Sequence, residues 1–220
     1  IQYDALGREV QIINPDDTES ATVYSGRSVI TLDALNRLGL QKQDAYANVV
    51  EVDETLTKWQ DQFTDGIGTG WYFTEGVVSE DGVVRVTGDG TSWSTHIRRD
   101  GETLQGQQGI VVDFRYDSGT VRSNLFLHRG SWAQASYRRW GLYIGQGKIY
   151  RDRYFGTQSD QEEMLTLTSN VWYRAMLKIG ENGELIAAVW ERDNPSANAT
   201  ITEQHGDDWT GFNDWRFMSQ

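Results

Sequence analysis

The chain has 220 residues and a formal net charge of −12, with a sequence pI near 4.6; it lacks the basic footprint that nucleic acid or an anionic membrane surface requires. It has no Cys, which excludes disulfides and thiolate zinc sites. No apolar run approaches the roughly 20 residues needed to span a bilayer. Nine Trp, ten Tyr and seven Phe are more rings than a core of this size needs, so some are expected to face outward in a groove. A start at Ile1-Gln2-Tyr3, with no signal peptide, reads as an internal fragment of a longer protein.

Residues 1 to 55 contain no Trp and carry an imperfect repeat: Asp4-Ala5-Leu6-Gly7-Arg8, Asp33-Ala34-Leu35-Asn36-Arg37 and Asp44-Ala45-Tyr46-Ala47-Asn48. Short strands are predicted over Glu9 to Ile13, Ser20 to Tyr24, Ser28 to Leu32, Gly39 to Gln43 and Asn48 to Val52. Asn14-Pro15-Asp16-Asp17 and Ser25-Gly26 punctuate them. Tyr3-Asp4-Ala5-Leu6-Gly7-Arg8, the later Tyr24 and the recurring Asp-Ala-Leu-x-Arg resemble the YD repeats of Rhs-type bacterial proteins. That resemblance implies hairpins that wind into a long β-sheet forming a shell. Leu32 stands where the repeat has Tyr, and Ala47-Asn48 replaces the usual Gly-Arg or Gly-Asn. A few repeats cannot bury their faces alone, so these lean on the rest of the chain or are loosely held.

Thr55 to Trp59 reads as a junction between residues 1–57 and residues 58–220. Short strands then follow every eight to twelve residues, split by Gly-rich turns, which is the rhythm of an all-β sandwich or barrel. They are Gly70 to Gly76, Val83 to Gly88, Ser92 to Arg99, Gly109 to Asp117, Asn124 to Arg129, Tyr137 to Gly145 and Lys148 to Phe155. Asp160 to Leu165 is a candidate for one helical turn. Asn170 to Asp193 is the clearest element: two alternating runs around Glu181-Asn182-Gly183, a strong hairpin signal because Asn and Gly both tolerate positive φ. Trp71, Trp140, Trp172 and Trp190 are assigned to the core, with Trp209 and Trp215 closing it. All nine Trp lie in residues 58–220, so that part is expected to fold without the repeats.

Phe63-Thr64-Asp65-Gly66, Gly70-Trp71, Glu80-Asp81-Gly82-Val83-Val84, Trp172-Tyr173-Arg174, the Asn182-Gly183 turn and Val189-Trp190-Glu191 before Asp193-Asn194-Pro195 resemble concanavalin A-like (laminin-G/lectin-type) modules. The resemblance implies a two-sheet jelly-roll sandwich over residues 58–220, following the YD-type hairpins of residues 1–57. It implies a sugar-binding module of a secreted or cell-surface bacterial protein, with the rest of the parent chain as a partner.

Alternation fixes which side chains share a face. Trp140, Leu142 and Ile144 inside force Arg139 and Tyr143 out; Ile97 forces out His96 and Arg98; Leu125 and Leu127 force out Phe126 and His128. Arg115 joins them from the strand of Phe114. The next strand adds either Tyr150, Asp152 and Tyr154, or Arg151 and Arg153. Trp132, in the loop from Gly130 to Ser136, is a stacking platform or a plug at one end of the sandwich. The candidate carbohydrate site is therefore His96, Arg98, Arg115, His128, Trp132, Arg139, Tyr143, Tyr150 and Tyr154, with Tyr and Trp stacking on sugar rings and cations bonding hydroxyls or carboxylates. The bland reading of the same residues is a solvated sheet face.

Catalytic signals are weak. Hydrolases resembling this fold carry Glu-x-Asp-x-x-Glu on one strand; Glu51-Val52-Asp53 begins that way but Leu56 replaces the last Glu. Lyases on the same scaffold use Arg, His and Tyr, but their Arg-x-Glu-x-Arg and Gln-Ile-His strands are absent. Asp61, Asp65 and Asp214 could ligate a structural calcium, as such modules often do; no cofactor is required. The expected function is a non-catalytic glycan-binding module for a polysaccharide or glycan, acidic or neutral. A structural or adhesive domain that contacts protein is the first alternative and a polysaccharide lyase the second.

Overall fold

Asp4 and Asp33 each open the same tight turn. In the computed structural model, Asp4 Oδ1 accepts the Leu6 and Arg8 amides at 2.9 Å each, and Oδ2 accepts Arg8 Nε at 2.7 Å. Asp33 accepts the Leu35 and Arg37 amides at 2.9 and 2.8 Å in the same pattern, and Arg37 Nε closes the set. The structure describes the chain apart from residues 36, 44, 46–48, 56–62, 81, 92, 94, 100–103, 105–107, 119–121, 131–133, 157, 181, 182, 205–211 and 213. It describes the backbone alone for strand residues 38, 50–55 and 214. The third repeat unit, at Asp44, lies outside the described residues.

These hydrogen bonds hold both carboxyls below their ordinary range. At Asp4 the Arg8 amide contributes most. At Asp33 burial pushes upward and is outweighed by Arg37 and Leu35. A depressed carboxyl contributes stability above its unfolded pKa and loses it as pH falls through the folded value. The turns are therefore expected to loosen in acid, below the usual Asp range. Asp4→Asn and Asp33→Asn should each lower the midpoint of chemical denaturation at neutral pH, because a charged acceptor of backbone amides is removed.

The turns link a six-stranded antiparallel meander. Its strands are β1 (Gln2–Tyr3), β2 (Glu9–Ile13), β3 (Glu19–Ser25), β4 (Ser28–Leu32), β5 (Leu38–Gln43) and β6 (Val49–Thr55). The Arg8 guanidinium stacks 4.1 Å from the centre of the Tyr24 ring, tying the first turn to the third strand. One face of the meander presents Val23, Ile30, Leu32 and Leu40, and this stripe is buried.

The remaining strands are β7 (Trp71–Phe73), β8 (Val77–Glu80), β9 (Val83–Val86), β10 (Thr95–Arg99), β11 (Gly109–Arg115), β12 (Arg122–Arg129) and β13 (Arg138–Gly145). They continue with β14 (Lys148–Phe155), β15 (Gln158–Thr166), β16 (Trp172–Ile179), β17 (Glu184–Glu191), β18 (Asn194–Gln204) and β19 (Asp214–Ser219). No helix occurs among the described residues, and the chain is all-β. A seven-stranded sheet runs β15-β14-β13-β12-β19-β10-β7, and a four-stranded sheet runs β11-β16-β17-β18. Hairpin β8-β9 stands apart. The paired strands are antiparallel throughout.

The β16–β17 hairpin is the middle layer of the molecule. Tyr173, Ala175, Leu177 and Ile179, with Leu185, Ala187 and Val189, pack on Leu127, Trp140, Leu142 and Trp215 of the seven-stranded sheet to form a β-sandwich core. The alternate residues Met176, Ile186, Ala188 and Trp190 pack on the N-terminal meander. A sheet covered on both faces needs apolar side chains at consecutive positions. That is why β17 reads Leu-Ile-Ala-Ala-Val-Trp rather than alternating. Polar groups on the second face are paired across it. Lys42 Nζ reaches the two Glu184 oxygens at 2.5 and 2.6 Å, and Arg174 lies between Asp113 at 2.7 Å and Glu19 at 3.7 Å. The repeats thus lean on the hairpin, and independent folding of residues 58–220 is not the expectation this packing supports.

Three sequence expectations change. Asp160 to Leu165 is not a helical turn; it lies within β15, an edge strand whose exposed Asp160, Glu162 and Glu163 deter further pairing. Trp172 is half-buried beneath the Arg115 and Arg192 guanidiniums rather than in the core, because it starts β16 at the rim. Trp190 is buried, but against the meander instead of inside the sandwich.

Candidate functional site

The outer face of the seven-stranded sheet collects the residues that alternation pushes out. Cross-strand register arranges them in three rows. One row runs Glu163, Tyr150, Tyr143, Asn124, Met218 and His96. The next runs Gln161, Asp152, Gly141, Phe126, Arg216, Arg98 and Tyr72. The third runs Ser159, Tyr154, Arg139, His128 and Asp214. Neighbouring strands lie about 4.8 Å apart, so the residues of a row are cross-strand neighbours.

Aromatic rings and guanidiniums interleave along it. Tyr143 and Tyr150 are cross-strand partners with ring centres 5.8 Å apart. The Tyr143 ring lies over Gly145: a Cβ built on that glycine would stand 2.9 Å from ring carbon Cε1. Gly145 thereby lets the ring lie along the sheet. Arg139 sits 5.2 Å from the Tyr154 ring centre and 5.4 Å from that of Phe126, and its Nη2 donates to Asp152 Oδ2 at 2.6 Å. Gln161 Nε2 donates to Asp152 Oδ1 at 3.0 Å, so both oxygens of this buried carboxylate are used. Arg216 Nη2 lies 2.6 Å from His128 Nε2, a bond in which the guanidinium donates and the imidazole accepts. The His128 ring neighbours Tyr137 and Phe126. Burial raises the Tyr137 hydroxyl above its ordinary pKa, against the pull of Arg139 and Arg216. At the far edge the Arg98 guanidinium stacks 4.5 Å from the Tyr72 ring centre, and Tyr72 flanks His96.

Seven of the nine expected residues therefore share this face: His96, Arg98, His128, Arg139, Tyr143, Tyr150 and Tyr154. On β14 it is the tyrosine set that faces out, while Arg151 and Arg153 turn to the sandwich side. Arg115 is a correction. It lies on β11 in the four-stranded sheet, exposed and stacked on Trp172, because Phe114 beside it takes the core position there. Trp132 lies outside the described residues. So does Asp61, and the Asp214 side chain; Asp65 is exposed on a turn. Among the described residues no three His or carboxylate groups gather as a metal site. Sequence reasoning missed Arg216, Tyr72 and Tyr137. The alternation Trp215-Arg216-Phe217 carried the signal for Arg216, but the C-terminal run was read only for its tryptophans.

On the other side of β14, Arg151 is buried at the open edge of the sandwich. It donates to Asp160 at 2.8 Å and Glu162 at 3.2 Å and pairs electrostatically with Glu203 of β18 at 3.2 Å, and Trp140 Nε1 donates to Glu203 at 3.1 Å. This network joins the two sheets and is structural.

No protein-family model and no curated protein matches the chain. Among solved structures, it is similar to scytalido-glutamic peptidase bound to a peptide-based transition-state analogue, at 8% identity and a TM-score of 0.32, over 53% of this chain and 60% of that one. A second structure of that peptidase with a transition-state analogue inhibitor aligns at 10% identity and a TM-score of 0.32, over 53% and 61%. The LG1-3 region of the laminin α2 chain aligns at 9% identity and a TM-score of 0.29, over 91% of this chain and 49% of that one. The chain matches about 60% of the peptidase's length and about half of the laminin fragment's. These values are too low to carry function.

Proposed function

We propose that the outer face of the seven-stranded sheet binds glycans. The observation that carries this reading is the Tyr143–Tyr150 pair, with Tyr143 lying over Gly145 on the face that also carries Arg139, His128 and Arg216. Ring faces held along a sheet offer apolar area to the C–H faces of sugars, and guanidiniums and imidazoles bond their hydroxyls. In this reading the seven-stranded and four-stranded sheets form a jelly-roll module, residues 58–220, and residues 1–57 are YD-type hairpins of a secreted or cell-surface bacterial protein. Isothermal titration against a panel of neutral and acidic oligosaccharides tests it. Tyr143→Ala should weaken binding by about 1–3 kcal/mol, the value of one aromatic platform, with little change in stability. Binding to protein ligands but to no glycan in the panel would favour an adhesive domain instead.

A second reading rests on His128 beside Arg216 and Tyr137; the Arg216 N–H occupies the Nε2 lone pair, so a uronate carboxylate must draw that guanidinium away before the imidazole can act as a base. A lyase would use an arginine to neutralise a uronate carboxylate, an imidazole to take the proton α to it, and a phenol to protonate the leaving oxygen. An absorbance assay for unsaturated uronides, with His128→Ala as control, tests it; no absorbance gain from polyuronates removes the reading.

A further inference from the structure

Asn124 differs from its neighbours on the outer face because its amide is both buried and unused. It is 3% exposed, and its Oδ1 has no hydrogen-bond partner among the described residues. Its NH2 group donates to none of them either. A buried amide without partners costs folding free energy, and native proteins keep such a group where something else completes its bonds. Packing does not require an amide here, since a leucine has nearly the same shape and nothing to satisfy. Cross-strand register places Asn124 between Tyr143 on β13 and Met218 on β19, with Tyr150 beyond Tyr143. Phe126, two residues along β12 on the same face, is also buried. The amide thus interrupts a run of two phenol rings and a thioether.

We propose that Asn124 reads the bound glycan, and that the sugar it reads is an N-acetylhexosamine. This rests on the glycan-binding reading and names its ligand class. Neighbouring strands are about 4.8 Å apart, so a sugar ring seated on Tyr143 carries its substituents over Asn124. A 2-acetamido sugar sets an N–H donor beside the oxygen of the adjacent hydroxyl. The Asn124 amide matches that pair, with Oδ1 accepting the acetamido N–H and the NH2 donating to the hydroxyl oxygen. In a trans amide the methyl lies on the same side as the N–H, which turns it to Met218, 8% exposed on the next strand. A thioether on three rotatable bonds adapts to a methyl, and burying that methyl adds to affinity. A plain vicinal diol fits the amide too but leaves the Met218 contact empty.

Isothermal titration of the full chain compares chitotriose with cellotriose, which has the same linkage and ring stereochemistry but a hydroxyl in place of each acetamido group. Chitotriose should bind at least about tenfold more tightly. Asn124→Leu should lower chitotriose affinity at least about tenfold, with a melting temperature equal to the parent's or above it, because the exchange removes an unpartnered buried amide. A structural asparagine would give the reverse, a lowered melting temperature. Asn124→Ala serves if the leucine is not accommodated. Equal affinity for the two probes in the parent, or unchanged chitotriose binding in a folded Asn124→Leu, overturns the proposal. If chitotriose fails while another glycan of the panel binds, the proposal falls and the glycan reading stands. If no glycan binds, both fall.

Discussion

Replacing Trp190 with alanine is expected to destabilise the protein by about 3–5 kcal/mol, the range for deleting a large buried aromatic side chain. Its side chain is 1% exposed and belongs to the layer between the β16–β17 hairpin and the N-terminal meander. The void would be lined by Val23, Ile30, Leu32 and Leu40 on one side and Met176, Ile186 and Ala188 on the other. Both walls are sheets, which collapse poorly into a gap. Among the described residues the indole Nε1 has no hydrogen-bond partner, so Trp190→Phe should cost much less: it keeps most of the ring and removes a buried donor. Trp172→Ala is the contrast, a half-buried rim residue whose loss should be mild. Deleting residues 1–57 should be more severe than any of these, because it exposes this whole face together with the buried Lys178. Denaturant titrations followed by Trp fluorescence would measure all four. A truncated chain that unfolds cooperatively at the parental midpoint would contradict the three-layer account.

Arg151→Ala should cost about 2–4 kcal/mol. Breaking a fully buried ion pair typically costs 3–5 kcal/mol because the remaining charge is stranded. Here the stranded partner is Glu203, 14% exposed, while Asp160 and Glu162 reach water and lose little. Burial alone would depress the Arg151 pKa, and its bonds to Asp160 and Glu162, with the nearby Glu203 charge, hold it above the usual value. Arg151 also holds the Asp160 carboxyl below its ordinary range. The sign follows: this contribution is present above the unfolded Asp pKa and lost as pH falls through the lower folded one. The parent should therefore lose stability in acid more steeply than Arg151→Ala. Arg151→Ala with Glu203→Gln should recover part of the loss, since the buried charge is gone, and the double-mutant cycle reads the coupling.

The strand rhythm was legible because the inner strands of the seven-stranded sheet alternate sandwich-core residues with polar or aromatic residues on the opposite face. Trp140-Gly141-Leu142-Tyr143-Ile144 shows its alternation directly, and the outward set on β10, β12 and β13 followed from it. The N-terminal strands were legible for a second reason, the Asp4 and Asp33 turns that recur between them. What failed was the reading of position among sheets. Arg115 alternates with Phe114 as Tyr143 alternates with Ile144, and nothing in its own strand says that β11 belongs to the other sheet. Trp190 illustrates the same limit: a continuous apolar run shows that both faces are covered but not by what. β15 was misread as a helical turn because its exposed acidic run lacks the apolar period that marks a half-buried strand. The insertion of β19 between β12 and β10 brings Arg216 beside Arg98 and His128. Pairings between residues this far apart in the chain, 88 positions for His128 and Arg216, leave no local trace.

The central claim is that a sugar lies on the Tyr143–Tyr150 side of the seven-stranded sheet. Titrating isotope-labelled protein with chitotriose while recording amide chemical shifts tests it most directly. The account predicts shifts that saturate together and concentrate on the outer-face positions of β10, β12, β13, β14 and β19, with the meander and the β16–β17 hairpin unmoved. Saturable shifts confined to the N-terminal meander, or none at millimolar ligand, would contradict it.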